Sequence, residues 1–250
     1  MDIKVSYICN RGTQRENNED SILINGEIFM DANGEKIMTN VEKALFIVAD
    51  GMGGAMYGEI AAKIVLETLV QNPMNSKENI FSTLIKANEE LHLYAEKNCD
   101  SLEIGSAVAG LSLEGNTAHV FNVGDCRIYR KNEDFLQQVS KDTSVVGKLL
   151  EQGIISYEEV RTHPQRSVLT CALSSKTDSN SLEIYYRELR LSNEETFLLC
   201  SDGLWDVLDE SEMENCINMQ NGNRAVSLFQ KTIEKGDKDN ISIILMEVRL

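Results

Sequence analysis

Strand-like segments occur in consecutive groups in this chain of 250 residues, and pairs of helical segments separate the groups. A parallel sheet needs a crossover between each strand and the next, which would produce a regular alternation of strand and helix. The grouped order instead favours mainly antiparallel sheets with helices packed on their outer faces. We therefore predict an α+β fold.

Two kinds of periodicity indicate where the elements lie. Short runs rich in β-branched and aromatic residues predict strands, namely KVSYIC, ALFIVAD, GSAVAGLSL, TAHVFNVGD, CRIYRK, SLEIYYREL, TFLLCSD and ISIILMEV. Apolar residues at helical spacing predict helices, which cover about residues 57–71, 77–98, 144–152, 156–162, 210–219 and 224–234.

Composition limits the classes of protein to which the chain can belong. The 24 basic and 40 acidic residues give a net charge of −16, which would repel a phosphate backbone and disfavours nucleic-acid binding. No linker, repeat or low-complexity tract divides residues 1–250, which predicts one domain. Six scattered cysteines without a CxxC pair predict reduced thiols. The start MDIKVSYICNRG does not resemble a signal peptide, and no run is long enough for a membrane span, so we expect a cytoplasmic protein.

The stretch ALFIVADGMGGAMYGEIAAK, residues 44–63, places Asp50 at the end of a strand-like run and follows it with a glycine-rich turn. Glycine lets a backbone approach a small ligand closely, because no side chain stands in the way. Asp125 and Asp202 also end strand-like runs, and Asp239 stands just before one. Because the strands of one packed core end along a common edge, we expect these four carboxylates to gather there.

Two interpretations of this pattern are open. Asp beside Gly or Asn is an ordinary turn combination, in which each carboxylate accepts a hydrogen bond from a backbone N–H. Clustered carboxylates, however, repel one another and raise each other's pKa unless a cation neutralises them. Four such residues together favour a metal site, and ligation by oxygen alone indicates Mg²⁺ or Mn²⁺ rather than zinc or copper.

Five separated segments carry a resemblance to a known family. They are, in order, RGTQRENNEDS, VADGMGG, NVGDCRIY, LLCSDGLWDVL and DKDNISIIL. This series resembles the motifs of the metal-dependent serine/threonine protein phosphatases, the protein phosphatase 2C or PPM family, in its compact bacterial form. The resemblance covers almost the whole chain. It implies a four-layer αββα sandwich, in which two mainly antiparallel sheets are flanked by helix pairs and a binuclear metal centre lies in the cleft at one end.

The resemblance assigns a role to the glycine-rich turn. Asp50 matches the aspartate that bridges both core metals, and Gly51 matches the position whose main-chain carbonyl is also a ligand. Gly53 and Gly54 then let the chain leave the turn without a Cβ atom that would crowd the centre. The turn is therefore expected to present a side-chain oxygen and a main-chain oxygen to the same metal centre.

Further acidic residues match other metal-binding positions of the family. Asp202 and Asp239 match the two remaining direct ligands. Glu19 and Asp20 match residues that hold metal-bound waters, and Asp125 together with Asp202 matches positions that bind a weaker third metal in bacterial members. The implied cofactors are two core ions of Mn²⁺ or Mg²⁺, with a third ion as in those members.

Arg15 matches the arginine that holds the substrate phosphate, and its guanidinium fork suits phosphate geometry. The implied mechanism is in-line attack on phosphorus by a hydroxide that bridges the two metals, without a phosphoenzyme intermediate. Neither a nucleophilic cysteine nor a nucleophilic serine is required. Residues 140–175 resemble the flap of bacterial members, which is mobile and faces the substrate, although a peripheral helical hairpin is the alternative interpretation.

The chain departs from the family pattern at four positions, none of which is a proposed direct ligand: Ala107, Cys126, Thr143 and Ser174. Cys126 either makes the enzyme sensitive to oxidation or fills a serine-sized space in the core. Met52 and Ala55 offer no histidine beside Asp50 that could protonate the leaving group, so we expect water or another residue to do so.

Three functions are compatible with these residues. An active phosphatase is favoured, because every direct-ligand position is filled. The alternatives are a weakly active or inactive module of the same fold that binds phosphoproteins or a kinase, and a metal phosphohydrolase acting on small phosphoesters. The implied partners are proteins phosphorylated on serine or threonine, together with a partner serine/threonine kinase. We expect no nucleic-acid or membrane partner, and a monomer.

Overall fold

The computed structural model describes residues 1–53, 57–99, 103–133, 135–219 and 222–250. The strands within these ranges are β1 (Asp2–Asn10), β2 (Asp20–Ile24), β3 (Glu27–Phe29), β4 (Ala32–Met38), β5 (Lys43–Met52), β6 (Gly105–Glu114), β7 (Thr117–Val123), β8 (Arg127–Asn132), β9 (Phe135–Gln138), β10 (Leu173–Ser174), β11 (Tyr185–Arg190), β12 (Glu194–Cys200) and β13 (Ile241–Arg249). The helices are α1 (Tyr57–Val70), α2 (Lys77–Asn98), α3 (Val145–Glu151), α4 (Tyr157–Val160), α5 (Asp202–Trp205), α6 (Glu210–Ile217) and α7 (Arg224–Lys235), with a 3₁₀ turn at Ser179–Ser181.

The strands form two antiparallel sheets. One sheet has the order β4-β1-β13-β12-β8-β9, and the other has the order β11-β7-β6-β5-β2-β3, with β10 paired to β6. The strands β13 and β5 have a paired neighbour on each side, so their backbone N–H and C=O groups find partners within the sheets. The register of β5 places Asp50 opposite Asp20 on one side and opposite Ala107 on the other.

The two sheets and the two sets of helices form four layers, and three clusters of buried apolar side chains lie between them. The facing sides of the two sheets pack through fully buried side chains such as Phe46 and Phe197. Helices α1 and α2 cover the outer face of the β5 sheet, and α1 buries Val65 and Leu69, which lie four residues apart on one helical face. Helices α5, α6 and α7 cover the outer face of the β12 sheet around Trp205. The predicted αββα sandwich is confirmed.

All of the predicted strands and helices are present, although their ends shift by a few residues. Two aspartates that were predicted to end strands lie beyond them. Strand β7 ends at Val123, so Asp125 is in the following turn, and β12 ends at Cys200, so Asp202 is the first residue of α5. The prediction also missed β2, β3, β4, β9 and β10. Strand β4 lies at a sheet edge, where alternate side chains face solvent and no apolar run develops. Strands β2, β3, β9 and β10 have five residues or fewer, and β2 is buried between β5 and β3, so its strand conformation depends on its neighbours.

Residues 140–175 lie beside α5 and α6. Ser144 caps α3, and Ser156 caps α4 in a capping box with Glu159. Two arginines then attach the segment to the end of α5: Arg161 Nη1 donates to the Trp205 carbonyl at 2.6 Å, and Arg166 Nε donates to Asp206 Oδ1 at 2.9 Å.

None of the helices in the described ranges combines the length and the apolar character that a membrane crossing requires.

Candidate metal centre

Five aspartates predicted from the motifs lie together at one end of the sandwich. Asp50 lies in β5 and faces Asp20 of β2 across the sheet register. The carboxylates of Asp20, Asp202, Asp125 and Asp239 all repel the Asp50 carboxylate, which places them around it. The tertiary structure thus brings carboxylates from five separate segments close enough for the other four to repel Asp50.

The environment of the cluster opposes negative charge. Burial, which strips water from the carboxylates, raises the pKa of Asp20 and the pKa of Asp125 to about 7. Burial together with the neighbouring carboxylates raises the pKa of Asp50 and the pKa of Asp202 well above their ordinary value. Ser201 Oγ donates to Asp20 Oδ2 at 2.7 Å and offsets only part of this effect. The cluster therefore needs protons or cations to be stable.

Two features show that oxygen-bound cations fit this place. Within the described part of the chain, Asp202 Oδ1 is buried without a hydrogen-bond partner, and an unsatisfied buried group of this kind costs about 1–3 kcal/mol. The main chain also closes tightly around Gly51, because a Cβ at that position would lie 2.0 Å from the Gly58 carbonyl oxygen and 2.7 Å from the Glu19 carbonyl oxygen. Gly53 has a φ of +152°, which disfavours a side chain at the exit of the turn.

The protein side chains do not enclose an ion by themselves. Across residues 1–53, 57–99, 103–133, 135–219 and 222–250, no three Asp, Glu, His or Cys side chains form a complete set of ligands for one ion. Mg²⁺ commonly binds through one or two carboxylates and completes its shell with water and substrate oxygens. The donors here, which are carboxylates and main-chain carbonyls, are of the type that Mg²⁺ and Mn²⁺ prefer.

Arg15 lies on the loop between β1 and β2, at the edge of the cluster. Its Nη2 donates to Asp239 Oδ2 at 2.5 Å, and half of its side chain is exposed. Glu19, at the end of the same loop, is half-buried, and its carbonyl accepts a hydrogen bond from Gly51 N at 3.1 Å. A cation suited to phosphate therefore stands beside the aspartates.

The loop that carries Arg15 is held by residues that motif analysis did not single out. Thr13 donates to the buried Asp237 through its hydroxyl at 2.7 Å and through its backbone N–H at 2.5 Å. Asn240 Nδ2 donates to the carbonyls of Arg11 and Asn17, and its Oδ1 accepts from Glu19 N at 2.8 Å. Both Asp237 and Asn240 lie in the motif DKDNISIIL, which was the only sequence signal for their importance.

Comparison with known proteins places the chain in a family. The sequence model of the family Protein phosphatase 2C matches residues 20–247, which is most of the chain. The chain belongs to the protein phosphatase 2C family. The serine/threonine phosphatase stp of Listeria innocua serovar 6a is 30% identical to it, and the alignment covers 98% of this chain and 95% of that protein.

Solved structures of the family have the same fold. The serine/threonine phosphatase PstP/Ppp of Mycobacterium tuberculosis is 25% identical and superposes with a TM-score of 0.83 over 100% of both chains. The catalytic domain of PstP in complex with two manganese ions superposes with a TM-score of 0.79, at 25% identity and again over 100% of both chains.

Two cysteines near the centre of this 2C-family protein are too buried to be reactive. Cys9 precedes Arg15 by six residues, which is the Cys-x5-Arg spacing of the cysteine phosphatases. Burial and the nearby Asp20 raise the pKa of the Cys9 thiol to about 12, which opposes formation of a nucleophilic thiolate. Burial also raises the pKa of Cys126, and Cys126 Sγ donates to the Ala107 carbonyl at 3.7 Å. Cys126 therefore packs as a small core residue, which argues against sensitivity to oxidation.

The other departures from the 2C-family pattern have structural partners. Thr143 Oγ1 accepts from Gly124 N at 2.6 Å and donates to the Cys171 carbonyl at 2.9 Å, which holds the turn that leads to Asp125. Ser174 Oγ donates to Glu103 Oε1 at 2.7 Å. Gly54 and Ala55, whose roles were predicted from the motif, lie outside the described residues.

Proposed function

We propose that this serine/threonine protein phosphatase of the 2C family hydrolyses phosphoserine and phosphothreonine side chains of other proteins. The observation that carries the proposal is the cluster of aspartates around Asp50, with raised pKa values, beside the guanidinium of Arg15. The carboxylates require cations, and the exposed guanidinium attracts an anion. A phosphomonoester held between divalent cations and Arg15 meets both requirements.

We assign two Mn²⁺ or Mg²⁺ ions to this centre as cofactors. Asp50, the Gly51 carbonyl, Asp202 and Asp239 would hold the two core ions. When bound, divalent cations supply Lewis-acid activation of water and of the phosphoryl oxygens. The orphaned Oδ1 of Asp202 and the tight main chain at Gly51 are the features of this chain that support the assignment.

Other carboxylates have supporting roles in the proposal. Glu19 and Asp20 accept hydrogen bonds from water at the edge of the centre and keep that water oriented. Asp125, together with Asp202, would hold a third and weaker ion. The repulsion between Asp125 and Asp202 supports this last role, because a cation between the two carboxylates would remove it.

Arg15 has a catalytic role of its own beside the metal ions. Its guanidinium binds the phosphoryl oxygens, orients phosphorus for in-line attack by water and offsets the negative charge that develops in the transition state. The P–O bond to the serine or threonine breaks, and the departing alkoxide takes a proton from water. The buried thiol of Cys9 takes no part, since its raised pKa keeps it protonated.

The proposal extends to the cellular setting. We assign residues 1–250 to one catalytic domain, in which residues 140–175 form a flap that faces the substrate. We expect a cytoplasmic monomer that opposes a partner serine/threonine kinase, with no nucleic-acid or membrane partner. The net charge of −16 supports the expectation about nucleic acid.

The first experiment measures phosphate release from an aryl phosphate and from a phosphothreonine peptide, with and without millimolar Mn²⁺. We expect release from both substrates that depends on Mn²⁺ and is lost in Asp239→Ala. Lys238→Ala is the matched control, because Lys238 is an exposed neighbour in the same loop. Metal binding measured by calorimetry without any turnover would instead favour a phosphoprotein-binding module.

A further inference from the structure

Trp205 connects helix α5, which carries Asp202, to the turn that carries Asp125. Helix α5 begins at Asp202 and ends at Trp205, so these two side chains belong to one turn of helix. The Trp205 Nε1–H donates to the main-chain carbonyl of Asp125 at 2.9 Å, across 80 residues of sequence. Trp205 is 2% exposed and Asp125 is 6% exposed, so water does not compete strongly for this hydrogen bond.

The indole ring is itself fixed from one face. The guanidinium carbon of Arg127 lies 3.6 Å from the centroid of the Trp205 ring, which is a close cation–π contact. Asp142 holds Arg127 in turn, with distances of 3.0 Å from Nε and 2.7 Å from Nη2 to Asp142 Oδ2. All three side chains are buried, so an indole that turned away from Asp125 would lose a desolvated hydrogen bond and its contact with the guanidinium that Asp142 holds in place.

We infer that Trp205 is a positioning residue, whose indole N–H fixes Asp125 relative to Asp202 and thereby sets the affinity of the cation that these two carboxylates hold. The inference rests on the proposed function, in which Asp125 and Asp202 share that cation. Removal of a group that hydrogen-bonds to a metal ligand, without binding the metal itself, typically weakens metal affinity by 10–100-fold. Nothing in the motif series distinguishes this role from simple core packing, since the indole is also part of the apolar layer under α5.

The variant Trp205→Phe separates positioning from packing. Phenylalanine keeps an aromatic face for Arg127 but removes the N–H that holds Asp125. We expect calorimetry to show about a tenfold weaker affinity in the weaker class of Mn²⁺ sites. The Mn²⁺ concentration for half-maximal activity should rise by about the same factor, and kcat should recover at saturating Mn²⁺.

Thr232→Val is the matched control for lost stability. Thr232 is fully buried in α7, which covers the same sheet, and its Oγ1 donates to the Leu228 carbonyl at 2.9 Å. The substitution removes a buried hydrogen bond that lies within α7, between Thr232 and Leu228, and leaves the hydrogen bond from Trp205 to Asp125 in place. We expect Thr232→Val to lower the Tm and to leave the Mn²⁺ affinity unchanged. If Trp205 served only for packing, Trp205→Phe would give the same two results.

A measurement on the unmodified chain tests the same inference without relying on the variant. Trp205 is the single tryptophan of the chain, so its indole N–H gives one resolved resonance. We expect slow exchange of this proton with solvent and a shift of its resonance during Mg²⁺ titration. The shift in the weak-binding phase should disappear in Asp125→Ala.

The outcomes are distinguishable. Weaker Mn²⁺ binding in Trp205→Phe but not in Thr232→Val, with a metal-sensitive indole resonance, would support the inference. If Trp205→Phe and the unmodified enzyme gave identical Mn²⁺ binding isotherms, and the unmodified enzyme were active, the inference would be overturned while the proposed function would stand. An unmodified enzyme that binds no Mn²⁺ would overturn the metal centre and this inference together.

Discussion

Arg15 and Asp239 form an ion pair in which Arg15 Nη2 lies 2.5 Å from Asp239 Oδ2, although 224 residues separate them in the sequence. The residue proposed to bind phosphate is therefore directly attached to a residue proposed to bind metal. Side-chain exposures of 51% for Arg15 and 32% for Asp239 leave the pair open to solvent and substrate. Because the two groups share one contact, substrate binding and metal binding are expected to influence each other.

Replacement of Arg15 should reduce turnover without removing the metal. We expect Arg15→Ala to lower kcat/KM for a phosphothreonine peptide by about 100-fold, because one preorganised charged donor to the transition state is lost. Arg15→Lys should recover only part of the loss, since an ammonium group lacks the bidentate fork. Steady-state kinetics at saturating Mn²⁺ measures the effect, and Arg11→Ala in the same loop is the control. Equal kinetics for Arg15→Ala and Arg11→Ala would contradict the role of Arg15.

Asp50→Asn should abolish activity while the fold is kept. The substitution preserves size but removes the charge at the centre of the cluster, so we expect kcat/KM to fall by about 1,000-fold, equal to about 4 kcal/mol. The metal-free variant should be more stable than the unmodified protein at pH 8, because one member of a repelling cluster is gone. Circular dichroism with thermal unfolding, together with the kinetic assay, tests both expectations.

Asp178→Asn is the control for Asp50→Asn. Asp178 is exposed and its side chain caps a 3₁₀ turn, a role that asparagine fills equally well. We expect neither activity nor stability to change in this variant. Full turnover in Asp50→Asn would show that the metal centre lies elsewhere.

The stability of the metal-free protein should fall as the pH rises from about 4 to above 7. The pKa of Asp20 and the pKa of Asp125 are about 7 in the folded protein, whereas unfolded aspartate titrates near pH 4. Between these values the folded state binds more protons than the unfolded state, so the free energy of unfolding decreases with increasing pH. Urea denaturation in EDTA at pH 5, 6, 7 and 8 measures this trend.

Two further urea denaturation experiments, one with a variant and one with added metal, test the cause of the pH dependence. Asp20→Asn should flatten it, because a group with a raised pKa no longer titrates, and saturating Mn²⁺ should restore stability at pH 8 by neutralising the cluster. A midpoint in EDTA that increases steadily from pH 5 to pH 8 would contradict the raised pKa values.

Asn240→Ala should loosen the loop that carries Arg15. Asn240 accepts from Glu19 N and donates to the carbonyls of Arg11 and Asn17, so its truncation removes three hydrogen bonds that hold the main chain of this loop. We expect a loss of about 3 kcal/mol in the free energy of unfolding. A less well-placed Arg15 should also raise KM for the phosphopeptide by about tenfold.

Asn88→Ala is a closely matched control for Asn240→Ala. Asn88 is fully buried and makes three comparable hydrogen bonds, to the Thr177 carbonyl, to Ser179 Oγ and from Ser174 N. We expect a similar loss of stability with a smaller rise in KM, because the hydrogen bonds of Asn88 reach Ser174, at the end of the segment 140–175, rather than the Arg15 loop. A KM that rises equally in both variants would indicate a general effect of destabilisation rather than a role for the Arg15 loop.

Local patterns were sufficient for much of the fold. Helix α1 has apolar residues at helical spacing, and strand β5 contains a continuous apolar run; both patterns involve neighbours a few residues away and are visible in the sequence. The edge strand β4 has alternating exposure and polar composition, so its strand conformation depends on pairing with β1. The helix that begins at Asp202 was missed because it is a single turn that directly follows the apolar run of β12, so the run was extended to Asp202 as strand.

The sequence by itself determined the chemical character of the protein: grouped strands that favour antiparallel sheets, an acidic chain, and motifs that supply oxygen donors and one arginine for phosphate. Only the tertiary structure decided which groups touch. Three contacts join segments that are distant in the sequence: the ion pair between Arg15 and Asp239, the hydrogen bonds from Asn240 to the Arg15 loop, and the hydrogen bond from Trp205 to Asp125. Residue identity and local spacing are encoded along the chain, whereas burial, repulsion and hydrogen-bond partners depend on how the two sheets pack.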